Sequence, residues 1–253
     1  MRAAALLLLL FLALPARAEQ VIADLSQNQV SITTSFEGSD IFVYGAIART
    51  APVPEDAGPL DVIVEIVGPS APVTVRRKER VAGIWVNTDA VEVDRAPHFI
   101  ALASTRPIPE ILSFPSALRH RIGYEHVVRF TNPYQDVADA QSFREAIIRI
   151  REREGLYRSL PGAVRLTEET LFSTRVDLPA NLVEGDYRAR VFLLREGEVR
   201  SIHQSAIRVE KSGLERWIFD LAHQQPLVYG LGSIFVALVA GWLAAQVFAV
   251  FRR

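Results

Sequence analysis

The densest group of polar side chains lies between residues 76 and 87, where a basic run is followed by a turn glycine and a tryptophan. The run reads Arg76-Arg77-Lys78-Glu79-Arg80, and Gly83-Ile84-Trp85-Val86-Asn87 follows it. If the two segments pair as strands, alternate residues share a surface that could bind an anion or a partner protein. The predicted binding surface comprises Arg76, Arg77, Lys78, Trp85 and Asn87. The alternative, favoured because charge runs are commonly solvated, is an exposed turn with Trp85 in the core.

Other spacings in the sequence give little sign of catalysis. The five histidines are His98, His120, His126, His203 and His223, and none has the spacing of a helical metal site. His120 and His126 would be the best candidates for zinc or copper. The chain has no cysteine, and it lacks a Gly-x-Ser-x-Gly elbow, a phosphate loop and a dinucleotide fingerprint. We therefore expect neither an enzyme nor a cofactor.

The overall charge argues against a polymeric ionic partner. The chain carries 28 basic and 29 acidic residues, so its formal net charge is only −1. Such a balance produces no global field that would attract nucleic acid. The mature body is nevertheless long enough to bury a hydrophobic core without disulfides.

Both ends of the chain indicate a membrane protein. Leu227 to Val250 contains no charged residue and is 24 residues long, whereas about 20 helical residues cross the hydrocarbon core of a bilayer. Residues 1–18 read as a secretory signal peptide with small residues before the cleavage site. Together with the final Arg252 and Arg253, they predict a single-pass protein of the inner (cytoplasmic) membrane. The body would be periplasmic and residues 251–253 a cytoplasmic tail.

Small side chains recur every four residues along the predicted span. They are Ser233, Ala237, Gly241, Ala245 and Ala249. Such a stripe lets two helices approach closely in lipid, where van der Waals packing is a main source of association. We therefore expect Ser233, Ala237, Gly241 and Ala245 to contact a second copy of the span or a helix of an integral membrane partner.

Residues 19–211 show mainly the period of β-strands. The alternation over Gln29–Phe36, followed by the apolar segment Ile41–Ile47, predicts a hairpin whose second strand is central in its sheet. Further strands are predicted at Val62–Val67, Val73–Lys78, Val81–Asn87 and His98–Ser104, with Gly83 as a bulge or close approach, and again from Ala163 to Val209. Tyr187, just after Gly185, resembles a tyrosine corner.

The pattern changes between about residues 107 and 160. Asp136 is placed to cap a helix of about residues 137–154, in which Phe143, Ile147, Ile150 and Tyr157 would share one apolar face. Glu145 with Arg149, and Glu154 with Arg158, have favourable spacing for ion pairs.

These patterns predict a mainly-β fold. We expect an immunoglobulin-like β-sandwich with a helical insertion at about 107–160, then a juxtamembrane amphipathic helix at 212–226 and the span at 227–250. Two small β domains joined by a helical linker are the alternative.

The chain resembles a family of alphaproteobacterial transmembrane proteins without an assigned activity. The resemblance is carried by Leu25-Ser-Gln-Asn-Gln-Val30-Ser-Ile32, Phe36-Glu-Gly38, Val75-Arg-Arg-Lys-Glu-Arg-Val-Ala-Gly-Ile-Trp-Val-Asn87, Ser104-Thr-Arg-Pro107, Gly155-Leu-Tyr157 and Tyr229-Gly230. It implies a signal peptide, a periplasmic β-rich body and one C-terminal span, but no catalytic residues. Members are often encoded near permeases of the sulfite-exporter type, which implies an accessory role in transport.

Two functions remain open at this point. The first is a membrane-anchored accessory or binding protein that docks on an integral membrane partner such as a transporter. The second is a periplasmic sensor of a solute or anion, or an enzyme, with its site between the sandwich and the helical insertion.

Overall fold

The computed structural model describes residues 19–33, 36–52, 57–128, 140–211 and 214–251. The strands are β1 Glu19–Leu25, β2 Gln29–Ile32, β3 Ser39–Arg49, β4 Leu60–Val67, β5 Ser70–Val81, β6 Ile84–Pro97, β7 Ile100–Ser104, β8 Tyr157–Pro161, β9 Arg165–Thr167, β10 Leu171–Leu178, β11 Gly185–Arg195 and β12 Glu198–Lys211. The helices are α1 Ile108–Ile111, α2 Phe114–His120, α3 Tyr124–Val127, α4 Ala140–Arg153, α5 Leu214–Gln224 and α6 Pro226–Phe251. The predicted signal peptide, the Asp136 cap and the two terminal arginines lie outside the described residues.

The chain divides into two compact units. One comprises the residues up to Val30 together with Glu37–Val209, and the other comprises Ser31–Phe36 with Glu210–Arg253. The β-rich body thus belongs to one unit, and the helices α5 and α6 belong to the other.

The body is built from two sheets and a separate ribbon. One sheet has the strand order β1-β3-β10-β9, the other has β2-β12-β11-β4-β7-β8, and β5 pairs only with β6. If the seven strands β1, β3, β4, β9, β10, β11 and β12 are lettered A to G along the chain, their spatial orders are A-B-E-D in one sheet and G-F-C in the other, as in immunoglobulin sandwiches. The mainly-β prediction is confirmed. The immunoglobulin-like class stays a prediction, because the long ribbon and the parallel pairing of β7 with β8 are additions to that plan.

The predicted hairpin of Gln29–Phe36 with Ile41–Ile47 is wrong. Strand β3 pairs with β1 and β10, whereas β2 lies in the other sheet beside β12. The predicted central position of β3 in its sheet is correct, but its outer face is partly open, with Phe42 and Tyr44 stacked and half-exposed. Gly45 has no side chain because the ring of Phe172 and the carbonyl of Ile22 occupy the space that a Cβ would need.

Strand β4 is buried along its whole length. It lies between β11 and β7, and all eight of its residues are shielded from solvent. Only a strand covered on both faces can be apolar on both sides. One face of β4 packs into the sandwich, and the helices of the insertion cover the other, on which Asp61 and Glu65 lie.

Helices α1 to α4 lie between β7 and β8, where the helical insertion is predicted. Helix α2 begins at the cap Ser113, whose hydroxyl accepts a hydrogen bond from the Ser116 amide at 3.3 Å. Arg106 ties the start of the insertion to the sheet, since its guanidinium donates to the buried Asp61 carboxylate at 2.6 Å and 3.1 Å.

Helix α4 buries a narrower face than its periodicity predicts. Phe143 and Ile147 are buried as expected, but Ile150 is 46% exposed. Tyr157 is not on the helix, because Gly155, with φ +71°, ends the helical segment and Tyr157 begins β8. The pairing of Glu154 with Arg158 is also wrong, since Arg158 contacts Asp177 and Glu154 contacts Arg151.

The predicted tyrosine corner is present at the start of β11. The Tyr187 hydroxyl donates to the Val183 carbonyl at 2.9 Å, and its ring is fully buried against Phe99. Burial raises the pKa of this phenol to about 12, so it stays a hydrogen-bond donor at every physiological pH.

The second unit contains α5 and α6 in succession. Residues Pro226–Ala245 of α6 are long and apolar enough to cross a membrane, with a mean hydropathy of 2.0 and no part of the segment buried. On α5, the His223 ring stacks on Phe219 with centroids 4.0 Å apart.

Candidate functional site

The predicted binding surface lies on the ribbon formed by β5 and β6. The two strands pair antiparallel from Ser70 with Pro97 to Val81 with Ile84, with register shifts after Ala71 and between Arg77 and Lys78, and a two-residue turn joins them at Ala82-Gly83. Both turn residues have positive φ, +50° and +89°. This geometry is typical of a type I′ turn, which requires such a backbone, so Gly83 is a turn residue and the predicted bulge or close approach there is wrong.

Strand register decides which of the predicted residues share a face. Lys78 lies opposite Asn87, and Arg80 lies opposite Trp85. Directly opposed residues of an antiparallel pair project on the same side, and Arg76 joins them because it lies two residues before Lys78. Four of the five predicted residues are therefore on one face.

The tip of the ribbon is exposed. Trp85 is 68% accessible, Ile84 64% and Val81 50%. The alternative that placed Trp85 in the core is therefore wrong, because the register places it near the free end of a two-stranded sheet. Its companions Arg76, Lys78, Arg80 and Asn87 are exposed as well. We call Val81, Ile84 and Trp85, with these four polar residues, the ribbon tip.

Arg77 has a different role from the other predicted residues. It lies on the opposite face of the ribbon, opposite Asp89, and its guanidinium stacks over the Phe143 ring at 4.6 Å from the centroid. A hydrogen bond from Arg77 to the Ser142 hydroxyl adds to this contact with α4. Arg77 thus fastens the ribbon to the helical insertion and does not belong to the exposed surface.

A second site is a basic pocket beneath the insertion; the sequence left open an anion site between the sandwich and the insertion but did not identify the arginines that line it. It has a volume of about 150 Å³, and its lining consists of two valines, Val67 and Val127, and six polar or ionisable residues. These are Ser70, Arg95, Arg121, His126, Arg188 and Arg190. They come from β5, β6, the loop before α3, α3 itself and β11. We call this site the arginine pocket.

One lining residue of the arginine pocket, Arg190, belongs to a buried ion pair. Glu65 on β4 is fully buried, and the Nε of Arg190 donates to its carboxylate at 2.6 Å. Arg190 also donates to the carbonyls of His120 and Arg121, at 3.0 Å each. Burial raises the pKa of the Glu65 carboxyl, and Arg190 opposes that shift. The pair therefore ties the sheet to the end of α2.

The sequence contained two signals of this pocket. Glu65 is an acid within the otherwise apolar second half of β4, and Arg188 and Arg190 alternate with apolar residues along β11. Opposed pairing places Arg190 beside Glu65 and Arg188 beside Val67 on the insertion side of the sheet. The remaining lining residues come from distant segments, so no local motif could reveal the whole set.

The histidines show no metal cluster within the described part of the chain. There, no group of three or more histidine or acidic side chains is placed to hold a metal ion. The His126 ring contacts the Phe114 ring edge-on, with centroids 6.1 Å apart. Burial, followed by the nearby Arg119, lowers the pKa of His120, so this side chain is neutral at neutral pH.

The small residues of the predicted helix–helix face lie on α6. Ser233, Ala237, Gly241 and Ala245 are all exposed along the helix. The Ser233 hydroxyl donates to the Tyr229 carbonyl at 2.8 Å, so its polar group is satisfied within the helix. A Cβ added at Gly241 would meet no atom within 4 Å, which leaves this face open to a neighbour.

A mainly-β body followed by one apolar helix that can cross a bilayer defines a membrane-anchored protein. Its family is established by the sequence: residues 20–251 match the family described as "Putative transmembrane protein (Alph_Pro_TM)", and the chain belongs to that family. The expected resemblance is thereby confirmed over nearly the whole body and the span.

Comparison with characterised proteins adds no function. No curated protein matches the chain. Among solved structures, it is similar to Spo0M, a sporulation control protein from Bacillus subtilis, at 9% sequence identity and a TM-score of 0.30. The alignment covers 82% of this chain and 55% of that one, so the chain spans about half the length of Spo0M. A likeness this weak carries no argument about activity.

Proposed function

We propose that this protein is a membrane-anchored accessory protein whose ribbon tip docks on an integral membrane protein. The role is binding and not catalysis. The predicted signal peptide and the charge of the C-terminal tail support an inner-membrane location with the body in the periplasm. The resemblance to proteins encoded near permeases supports a transporter as the partner.

The observation that carries the proposal is the composition of the exposed tip. Large apolar side chains cost free energy in water, yet Trp85 and Ile84 are about two-thirds accessible in the isolated chain. Arg80 lies directly opposite Trp85. Tryptophan and arginine are the residue types most enriched at the energetic centres of protein interfaces. A partner that covers Trp85 would therefore gain most of its binding energy at this point.

A protein partner fits the ribbon better than the lipid bilayer does. In the described part of the chain, β5 and β6 pair only with each other, so each strand keeps an outer edge of unpaired backbone groups. Such edges cannot enter hydrocarbon without a large cost, because lipid offers no hydrogen bonds. A partner strand can satisfy them by extending the sheet.

The docking proposal is tested by crosslinking in intact membranes. A benzoylphenylalanine at position 87 of the full-length protein, on the same face as Trp85, should crosslink to one integral membrane protein. The same group at position 22, an isoleucine of β1 that is 53% accessible, should not. Trp85→Asp should abolish co-purification of that partner, whereas Ile22→Asp should leave it unchanged. Crosslinks to lipid alone, or equal behaviour of both positions, would contradict the proposal.

The span offers an independent contact. Gly241→Leu or Ala237→Leu should weaken association of the α6 helix in a membrane two-hybrid assay, because a large side chain blocks close approach. Leu238→Ala, which changes a neighbouring face of the helix, is the matched control. If all three variants behave alike, the small-residue face takes no part in docking.

A further inference from the structure

We infer that the arginine pocket is a binding site for a small oxyanion of the phosphate or sulfate type. This inference goes beyond the docking proposal, because it concerns a different face of the body and a different ligand. It rests on the charge, the size and the side-chain chemistry of the pocket.

Most of the positive charge of the pocket has no directly bonded carboxylate among the described residues, and Glu65 acts on Arg188 only at longer range. Four arginines line it, and one of them, Arg190, is paired with the buried Glu65. Within the described part of the chain, Arg95, Arg121 and Arg188 have no carboxylate partner in hydrogen-bonding range. Like charges grouped at one site repel one another, and because these three side chains are exposed the repulsion is strongest at low ionic strength. A bound anion would remove this cost.

Hydrogen bonds to the main chain fix the position of Arg121 relative to Arg190. Arg190 donates to the carbonyl of Arg121, which has a left-handed backbone with φ +53°. An amide of Ile122 donates to the Ala117 carbonyl at 3.0 Å, which closes the end of α2 around the same residue. Arg121 is therefore held at the pocket by its main chain while its guanidinium remains available. Arg190 acts here as a positioning residue.

The size of the pocket limits the ligand. Sites for drug-sized molecules usually measure about 300–1,000 Å³, whereas this cavity measures about 150 Å³. A nucleotide or a peptide is too large, and a tetrahedral oxyanion fits. Guanidinium groups donate paired N–H bonds that match two oxygens of such an anion, and the Ser70 hydroxyl on the pocket wall can donate another.

The test is titration of the full-length protein in non-ionic detergent with inorganic phosphate and with sulfate, followed by calorimetry at fixed ionic strength. We expect saturable binding of one anion per chain and a matching rise in melting temperature, neither of which chloride produces. Arg121→Gln and Arg188→Gln should each weaken binding about tenfold or more, because each removes a charge-assisted contact. Both side chains are exposed, so neither variant should melt below the wild type without anion, and the loss of one like charge should raise the melting temperature slightly.

Matched controls separate this site from general charge effects. Arg200→Gln removes an exposed arginine of β12, whose nearest carboxylate, Glu196, is 3.8 Å away, and should bind phosphate normally. Trp85→Asp should also bind normally, so failure of the docking proposal and failure of this one are distinguishable. Competition by short-chain phosphatidic acid would identify a lipid headgroup as the source of the oxyanion. Absence of saturable binding, or equal loss in all variants, would overturn the inference.

Discussion

Among the antiparallel strand pairs that carry arginines, two have opposite surroundings. In β4 and β11, Arg190 meets Glu65 beneath the helical insertion, where the carboxylate has no access to solvent. In the ribbon, Arg80 meets Trp85 at a tip that the described residues leave exposed. The comparison shows that a covering layer, and not the strand sequence alone, decides whether a charged strand residue is buried in an ion pair or stays exposed.

The contact between the ribbon and α4 is buried, and substitutions there should cause the largest loss of stability. Phe143 is buried and supports Arg77 through its ring. Phe143→Asp removes the packing and buries an unpaired charge, so the free energy of unfolding should fall by about 4 kcal/mol. Denaturant unfolding of the full-length protein in detergent, followed by near-ultraviolet circular dichroism, measures the loss.

The neighbours of Phe143 on α4 provide the controls for that variant. Ile147→Asp should behave similarly, since Ile147 is equally buried. Arg149→Ala should change stability by less than about 1 kcal/mol, because the side chain is exposed. An aspartate at Phe143 that melted like the wild type would show that α4 does not pack on the body.

The ion pair of Glu65 should rank second. Glu65→Gln leaves the Arg190 guanidinium without its buried countercharge, and such losses cost about 3 kcal/mol. The double variant Glu65→Leu with Arg190→Met replaces the pair by apolar groups and should be more stable than Glu65→Gln. Equilibrium unfolding at pH 7 tests both. If Glu65→Gln and the wild type unfold alike, the pair does not fasten the insertion to the sheet.

A clamp at the edge of the sandwich should rank third and should depend on pH. Glu19 receives hydrogen bonds from Arg195 at 2.8 Å and from Arg49 at 3.3 Å. Partial burial raises the pKa of Glu19, but the bonds to Arg195 and Arg49 outweigh it, so the pKa is lowered from 4.5 overall. A lowered acid pKa stabilises the fold above pH 4.5, and this contribution disappears as the pH falls through the folded-state pKa.

Glu19→Gln should therefore reduce the free energy of unfolding by about 2 kcal/mol at pH 7. The difference from the wild type should shrink below pH 4.5 and vanish once the carboxyl of the wild type is protonated. Melting curves of both proteins between pH 7 and pH 3 measure this convergence. A difference that stayed constant over that range would exclude ionisation of Glu19 as its cause.

The hydrophobic periodicity of the sequence predicted where strands and helices lie better than it predicted which elements pair or pack with each other. The alternation in β11 and the apolar run in β4 were sufficient to locate both strands, because each pattern reflects local burial. The predicted hairpin of β2 with β3 is wrong because the two strands lie in different sheets. Whether consecutive strands pair or enter different sheets is decided by tertiary packing, which local periodicity does not report. Likewise, the helical period placed Ile150 on the same face as Phe143 and Ile147, but it could not predict that the body covers only part of that face and leaves Ile150 half-exposed.

The candidate sites show the same limit. The ribbon surface could be predicted because its members are close in sequence and their alternation fixes the face. The exposure of Trp85 could not, since an aromatic residue between β-branched neighbours is equally typical of a core. The arginine pocket brings together residues from Ser70 to Arg190, and only the tertiary fold places them around one cavity.

The smallest effect on stability is expected at the ribbon tip. This prediction distinguishes the exposed tip most sharply from the covered strands β4 and β11. Trp85 and Ile84 are mostly exposed, so Trp85→Asp or Ile84→Asp should change the free energy of unfolding by less than about 0.5 kcal/mol. The carboxylate of Trp85→Asp would even face Arg80, a favourable cross-strand pair. The same unfolding assay used for Phe143→Asp measures this difference. A loss above about 2 kcal/mol would mean that the tip packs against the protein's own chain, since only a buried residue loses that much. The exposed tryptophan would then be a structural residue, and the contrast between covered and uncovered strands would fail at the point where docking depends on it.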